Sequence, residues 1–347
     1  MQNRVEINTD IAIDDDQEDL FEHYQFLVDK GQTPLRIDKF LMHKIQNASR
    51  TKIQAAIKNN AVLVSKSSVK ANYKIKPLDN ISIVLPYPPR DTAIYPEKMD
   101  LNITYEDDFM CIVNKSANVV VHPGFNNYTG TLVHGLLYHF NKATLPEIKV
   151  PALLAHRIDK NTSGLLVIGK DENTLAHLAK QFFDHSIQRK YLAIVWGNFE
   201  ENKGTINANL ERDPKDRKRR SVPKDATLGK HAITHYEVIA NYHFCSLISC
   251  TLETGRTHQI RAHMAHVGHP IFNDDVYGGD KILKGSQHSK FKQFILNCFQ
   301  LMPRQALHAK SLGFIHPKSK KNVYFETELP QDFSALLSKI SEYANHF

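Results

Sequence analysis

Leu154-Ala155-His156-Arg157-Ile158-Asp159-Lys160-Asn161-Thr162-Ser163-Gly164-Leu165-Leu166-Val167 is the most informative stretch of this 347-residue chain. A polar loop rich in His, Arg, Asp, Thr, Ser and Gly runs directly into an apolar strand. Reacting side chains are often carried this way, on a loop fixed by a rigid element. Asp159 has the chemistry of a nucleophile, a base or a metal ligand. The same residues also suit a plain turn, in which Asp159 and Thr162 hydrogen-bond the backbone.

On either side of this loop the pattern reads as strands interleaved with helices. Ile103–Tyr105, Met110–Asn114, Leu165–Ile168 and Tyr191–Trp196 have strand character. Thr131 can cap a helix with the stripe Leu132, Leu136, Leu137 and Phe140, and Leu175, Leu178, Ala179, Phe182 and Phe183 form a second apolar face. Residues 231–254 read as a long hairpin turning near Asn241, followed by a helix from about His258 to Gly268. This order predicts an α+β domain with a mixed, largely antiparallel sheet flanked by helices and loops.

Upstream, Thr33-Pro34 opens a helix carrying Leu35, Ile37, Phe40 and Leu41, and a second helix follows Ser49. Ala61–Val64 and Ile81–Leu85 read as short strands. Four prolines between Pro86 and Pro96 mark a semi-rigid linker. The expected organisation is an acidic extension over 1–32, a small α/β domain over 33–85, a linker over 86–100, a larger α+β domain over 101–335 and a tail over 336–347.

Composition narrows the class. Hydrophobic residues at 41% and charged residues at 23% are globular proportions. No apolar run reaches the ~18 residues of a membrane span, and the acidic start lacks a signal-like apolar segment. The scattered cysteines Cys111, Cys245, Cys250 and Cys298 fit reduced thiols in a cytoplasm. Net charge is +7, but residues 1–32 carry −7 and residues 33–90 carry +9. A basic block of this kind suits a polyanion such as nucleic acid, or simply a solvated lysine-rich surface.

HRIDKNTSGLLVIGKD resembles the HRLD-xx-TSGLL signature of the RluA family of RNA pseudouridine synthases. Four further segments match in the same order: Glu106–Pro123 with Gly130–Val133, Arg189–Ala193, Gly255–His263 (GRTHQIRAH) with Gly268–Ile271, and Leu307–Ala309 with Phe314–Pro317. The resemblance spans about residues 101–330. Residues 33–85 separately resemble the S4 RNA-binding module through Leu35–Leu41, Ser49-Arg50, Val62–Val64 and Asp79–Ile81. In that region Asn60 stands where glycine is usual, and Ser65-Lys66 where Asn-Gly is common. The combination is similar to the ribosomal-RNA branch of the family, the RluD and RluC types.

The resemblance implies a cytoplasmic isomerase that converts specific uridines to pseudouridine, most similar to those acting on large-subunit (23S) ribosomal RNA. Transfer RNA is the alternative substrate, and a non-catalytic RNA-binding or ribosome-assembly factor the alternative function. It implies no cofactor, since nothing is oxidised, reduced or hydrolysed. It assigns Asp159 as the reacting carboxylate, Arg256 as its cationic partner, and Tyr191 as the ring facing the uracil. Arg157, with His156 beside it, becomes the side chain that fills the space left by the flipped uridine. Arg36, Lys39, Arg50 and Lys52 of the S4-like module, and the run Arg212–Arg220 in an exposed loop, become backbone contacts. The expected partner is RNA, with no membrane, and the protein is expected to act as a monomer. His258, His263, His266 and His269 have a spacing reminiscent of zinc ligands, but Gly268 and Pro270 break the helix and there is no HExxH, so no metal is expected.

Overall fold

The computed structural model describes residues 21–45, 48–85, 93–124, 127–140, 145–146, 154–216 and 218–345. The chain divides into two compact units at Thr92/Ala93.

The first unit contains β1 (Phe21–Leu27), α1 (Ile37–Lys44), α2 (Arg50–Lys58), β2 (Val62–Val64), β3 (Ser67–Ser68) and β4 (Asn80–Leu85). Ser49 caps α2 by accepting the Lys52 N–H, and Ile53 and Ile57 turn its apolar stripe onto Ile37, Phe40 and Leu41. Val64 pairs with Ser67, so Ser65 and Lys66 are the whole loop. Both have positive φ, 48° and 69°, the geometry a two-residue hairpin asks for. Asn60 also takes the left-handed conformation, at φ 57°, which asparagine tolerates in place of glycine. The helix pair and small sheet are consistent with the S4-like module.

Three boundaries in and next to the first unit differ from the expected ones. The acidic extension does not run to residue 32 as a loose segment: Phe21–Leu27 is an edge strand paired antiparallel with β4. Residues 1–20 lie outside the described residues. Helix α1 begins at Ile37 with Arg36 as its N-cap, not at Thr33-Pro34, because Arg36 is bridged to Lys74 as a short β-pair. Residues 93–100 of the expected linker belong to the second unit, where the Glu97 N–H bonds the carbonyl of His134.

The second unit contains β5 (Ala93–Ile94), β6 (Ile103–Glu106), β7 (Met110–Lys115), α3 (Leu132–His139), β8 (Leu145–Pro146), β9 (Ser163–Gly169), α4 (Glu172–Phe183) and β10 (Gln188–Trp196). It continues through β11 (Lys203–Asn207), β12 (Glu211–Arg212), β13 (Arg220–Ser221), β14 (Ile233–Asn241), β15 (Cys245–Leu252), α5 (Gln259–His266), α6 (Ser289–Leu301), β16 (Leu307–Ile315), β17 (Asn322–Glu326) and α7 (Gln331–Ala344). The main sheet runs β11-β14-β15-β10-β16-β9-β7-β6, with β17 paired to the far half of β16. All its pairings are antiparallel except β9 with β16, as the α+β reading expects.

Strand β9 is buried along its whole length, which explains its unbroken apolar run. Gly164 lets it meet β16. Its φ is 114°, and a Cβ there would fall 2.2 Å from the carbonyl oxygen of Ala309. The loop carrying Asp159 therefore enters the sheet at a point where only glycine fits.

The expected tail from 336 is instead the body of α7, whose Phe333, Leu336 and Ile340 are buried in the main core. The run Arg212–Arg220 is the connection of the β12–β13 hairpin. All four cysteines are buried free thiols. Among the described residues, no helix is long and apolar enough to cross a membrane.

Candidate active site

The loop from Ile158 to Ser163 is held by buried cations that come from distant parts of the chain. Lys115, at the end of β7, donates to the carbonyls of Ser116, Val119 and Lys160 at 2.8–2.9 Å. Burial, with Arg304 nearby, lowers this ammonium to about 7. Arg304 donates to the Asn161 carbonyl at 2.9 Å and the Ser163 hydroxyl at 3.2 Å, while its other edge pairs with Asp332 of α7. The Thr162 N–H closes a turn onto the Asp159 carbonyl. The loop that carries Asp159 thus also has the plain-turn geometry.

Arg261 carries the decisive contact. Its Nη1 donates to Asp159 Oδ2 at 3.0 Å, and its Nε and Nη2 grip Asp274 at 2.7 and 2.8 Å. Asp274 is fully buried and also accepts the N–H groups of Val276 and Tyr277. Burial opposes the charge on Arg261, but Asp274 and Asp159 outweigh it and raise its pKa. Stacked over the Tyr277 ring as well, the guanidinium has no freedom to leave.

This corrects the assignment of Arg256 as the carboxylate's partner. Arg256 is exposed in the turn before α5, with its Nε bonded to the carbonyl of His231. The turn is pinned by Gln259, whose side chain accepts the Arg256 N–H and donates to Ile233. Arg261 sits instead on α5, where residues 259–264 are all buried. A guanidinium placed there has to be paired, but GRTHQIRAH alone does not say which of its two arginines is buried.

Two adjoining cavities meet at Asp159. One, of about 60 Å³, is lined by residues including Tyr191, Thr162, Arg256, His258 and Leu307. The other, of about 320 Å³, is lined by residues including Val121, His122 and Gln305. They share Arg157, Ile158, Asp159, His258 and Arg261. Among the described residues Asp159 is the sole carboxylate on the smaller cavity. Tyr191 reaches it from β10 with its ring buried, and burial raises its phenol above the usual range. A carboxylate hydrogen-bonded to a fixed guanidinium, beside an aromatic wall, can act as nucleophile or base.

Arg157 is exposed, borders both cavities and hydrogen-bonds His122. His156 does not join it. Its Nε2 accepts the Val167 N–H at 3.0 Å, its ring stacks on Phe182 at 4.5 Å, and it lines neither cavity. Burial, with Arg189 close by, holds it near 3, hence neutral. Protons therefore reach this ring in the unfolded chain first, near the ordinary 6.5. Its contribution to stability is complete above that value and is lost as pH falls towards 3. His156→Gln keeps an acceptor but does not titrate. Between pH 7 and 5 the wild type is expected to lose about 1–2 kcal/mol more than this variant. Urea midpoints at the two pH values measure it, and equal losses would refute it.

In the first unit, Arg36 and Arg50 are not free cations. Both bond the fully buried Asp38, at 3.0 and 3.2–3.3 Å, together with Gln54 at 2.9 Å. Burial opposes the charge of Asp38, but these donors hold its carboxyl well below the usual range. Each arginine still exposes 39–50% of its side chain. Lys39 and Lys52 are exposed and make no ion pair among the described residues. In the second unit a basic cavity of about 500 Å³ is lined by Arg212, Arg220, Lys230 and Arg256, with Glu211 the one carboxylate among the described residues.

The histidines with zinc-like spacing are engaged elsewhere: His263 with Thr234 and Ala208, His269 with Trp196. Among the described residues no cluster of three metal-ligating side chains forms.

Residues 110–266 match the family model described as RNA pseudouridylate synthase. An uncharacterized RNA pseudouridine synthase of Chlorobaculum parvum is 42% identical over 316 residues, covering 90% of this chain and 96% of that protein. The ribosomal large subunit pseudouridine synthase D of Zymomonas mobilis is 41% identical over 309 residues, covering 88% and 93%. Among solved structures, human RNA Pseudouridylate Synthase Domain Containing 1 has a similar fold, with a TM-score of 0.51 at 22% identity over 72% of this chain and 96% of its own.

Proposed function

The chain belongs to the RluA family of RNA pseudouridine synthases, and from that premise we propose that it isomerises uridines of large-subunit ribosomal RNA, with Asp159 as the reacting carboxylate. The observation that carries this is the pairing of Asp159 with Arg261 at 3.0 Å, in a cavity with no other carboxylate among the described residues and with Tyr191 as its wall. The relative from Zymomonas mobilis, named for the ribosomal large subunit, favours the substrate.

Isomerisation breaks the bond from uracil N1 to ribose C1′ and joins C5 to that carbon. The hydrogen on C5 leaves as a proton and the freed N1 takes one up, so atoms balance and no oxidant or reductant takes part. Asp159 serves at the sugar, with Arg261 holding its Oδ2 in place, and the Tyr191 ring supports the detached uracil. The target must first leave its stack, at a cost of a few kcal/mol. Arg157, exposed at the mouth of both cavities, fills the vacated position and offsets part of that cost. Arg256, Arg212, Arg220 and Lys230 are placed to meet phosphates, which give affinity and salt dependence but little sequence choice. Arg36, Lys39, Arg50 and Lys52 make such contacts from the first unit. The two arginines have a second task, tying α1 to α2 through Asp38.

Tritium release from 5-tritiated uridine tests this reading on unmodified ribosomal and transfer RNA. Release from large-subunit ribosomal RNA is expected. Release from transfer RNA alone keeps the reaction and overturns the substrate. Tight RNA binding without release from either RNA favours a binding factor.

A further inference from the structure

His258 borders both cavities, yet the mechanism above gives it no task. It precedes α5 in the left-handed conformation, at φ 57°. Its Nδ1 lies 3.2 Å from the hydroxyl of Tyr277, which already accepts the Arg220 N–H at 2.9 Å. Burial raises that phenol to about 12, so it keeps its proton. Among the described residues His258 Nδ1 is the acceptor within reach of that proton. Burial also lowers the imidazole, against the pull of Asp159, and leaves it neutral. A neutral imidazole has one N–H. With Nδ1 accepting from Tyr277, that N–H is on Nε2.

Nε2 faces Asp159 Oδ2 across 3.8 Å, too far for a direct hydrogen bond. A group that accepts from Nε2–H and donates to the carboxylate fits between them. Uracil carbonyls and the ring oxygen of ribose only accept, and N3–H only donates. Within an RNA chain the 3′ and 5′ oxygens are esterified. The 2′-hydroxyl is therefore the one group of an internal uridine that both accepts and donates through oxygen. It also adjoins C1′, where Asp159 is required.

We propose that His258 Nε2–H and Asp159 together hold the 2′-hydroxyl of the target uridine, making His258 the residue that selects ribose over deoxyribose. The inference rests on the function proposed above. Tyr277 sets the tautomer, and the backbone of the basic hairpin fixes Tyr277 through Arg220.

The test begins by locating a uridine that the wild type modifies. Two short 5-tritiated RNAs around it are then compared, one carrying ribose and one 2′-deoxyribose at that position. A site built to bind a hydroxyl rejects the analogue lacking it, and the wild type is expected to prefer ribose by about 10²-fold or more in kcat/KM. His258→Ala is expected to shrink that preference by about tenfold or more. His258→Gln suffers the same left-handed strain but retains an N–H, and should recover at least part of it. Equal losses on both RNAs, or an unchanged preference in an active enzyme, would overturn the role of His258 alone. A wild type that releases no tritium from any RNA refutes the parent function, and this inference with it.

Discussion

Asp159→Asn is expected to reduce tritium release by at least about 10³-fold, with RNA affinity changed less than about threefold. The separation follows from the way the site is built. The substitution keeps shape and leaves an oxygen for Arg261 Nη1, while the guanidinium stays paired with Asp274 through its other edge. No buried charge is stranded, so the loop should keep its place on Lys115 and Arg304. What disappears is the one carboxylate on the smaller cavity among the described residues. The basic cavity of the β12–β13 region, proposed above to meet phosphates, does not include Asp159 and is untouched. Single-turnover tritium release and a filter-binding isotherm on the same RNA measure both quantities. Turnover within tenfold of wild type would mean that another group reacts.

Much of the framework around Asp159 is readable from sequence because its signals are local. Apolar runs next to turn residues mark β7, β9 and β10, and the alternation in 231–254 marks β14 and β15. Positions that depend on remote partners are not readable this way. Strand β1 has its alternation broken by a bulge between Glu22 and Tyr24, and an acidic neighbourhood hides it. The apolar stripe of α7 spans the boundary placed at 336, beginning with Phe333. Lys115 and Arg304 bond mostly to backbone carbonyls, which leave no trace in side-chain pattern. His156 lies beside Arg157 in the motif, but its acceptor role is set by the N–H of Val167 in β9. Two arginines stand five positions apart in GRTHQIRAH, and a linear motif does not say which is buried. The fold decides: the turn leaves Arg256 outside, and α5 carries Arg261 inward.

That choice leads to opposite expectations for the two arginines. Arg261→Leu would leave Asp274 buried without a cation and Asp159 without its partner. Breaking a buried pair from one side costs about 3–5 kcal/mol, so loss of activity in this variant could be loss of fold. Arg261→Lys separates the two effects. Lysine keeps the charge beside Asp274, but one ammonium cannot reproduce a planar fork that grips Asp274 with two nitrogens and reaches Asp159 with the third. A fall in kcat of about 10²-fold or more is expected, with RNA affinity retained and the urea midpoint lowered modestly. Arg256→Leu should behave as the loss of a phosphate contact. Its kcat at saturating RNA stays within a few-fold of wild type, its affinity weakens, and the slope of log affinity against log salt falls by about 1. Measuring kcat, Kd across a salt series and stability for both variants places each arginine independently. An unchanged salt slope with collapsed kcat in Arg256→Leu, beside a nearly active Arg261→Lys, would return the role of carboxylate partner to Arg256.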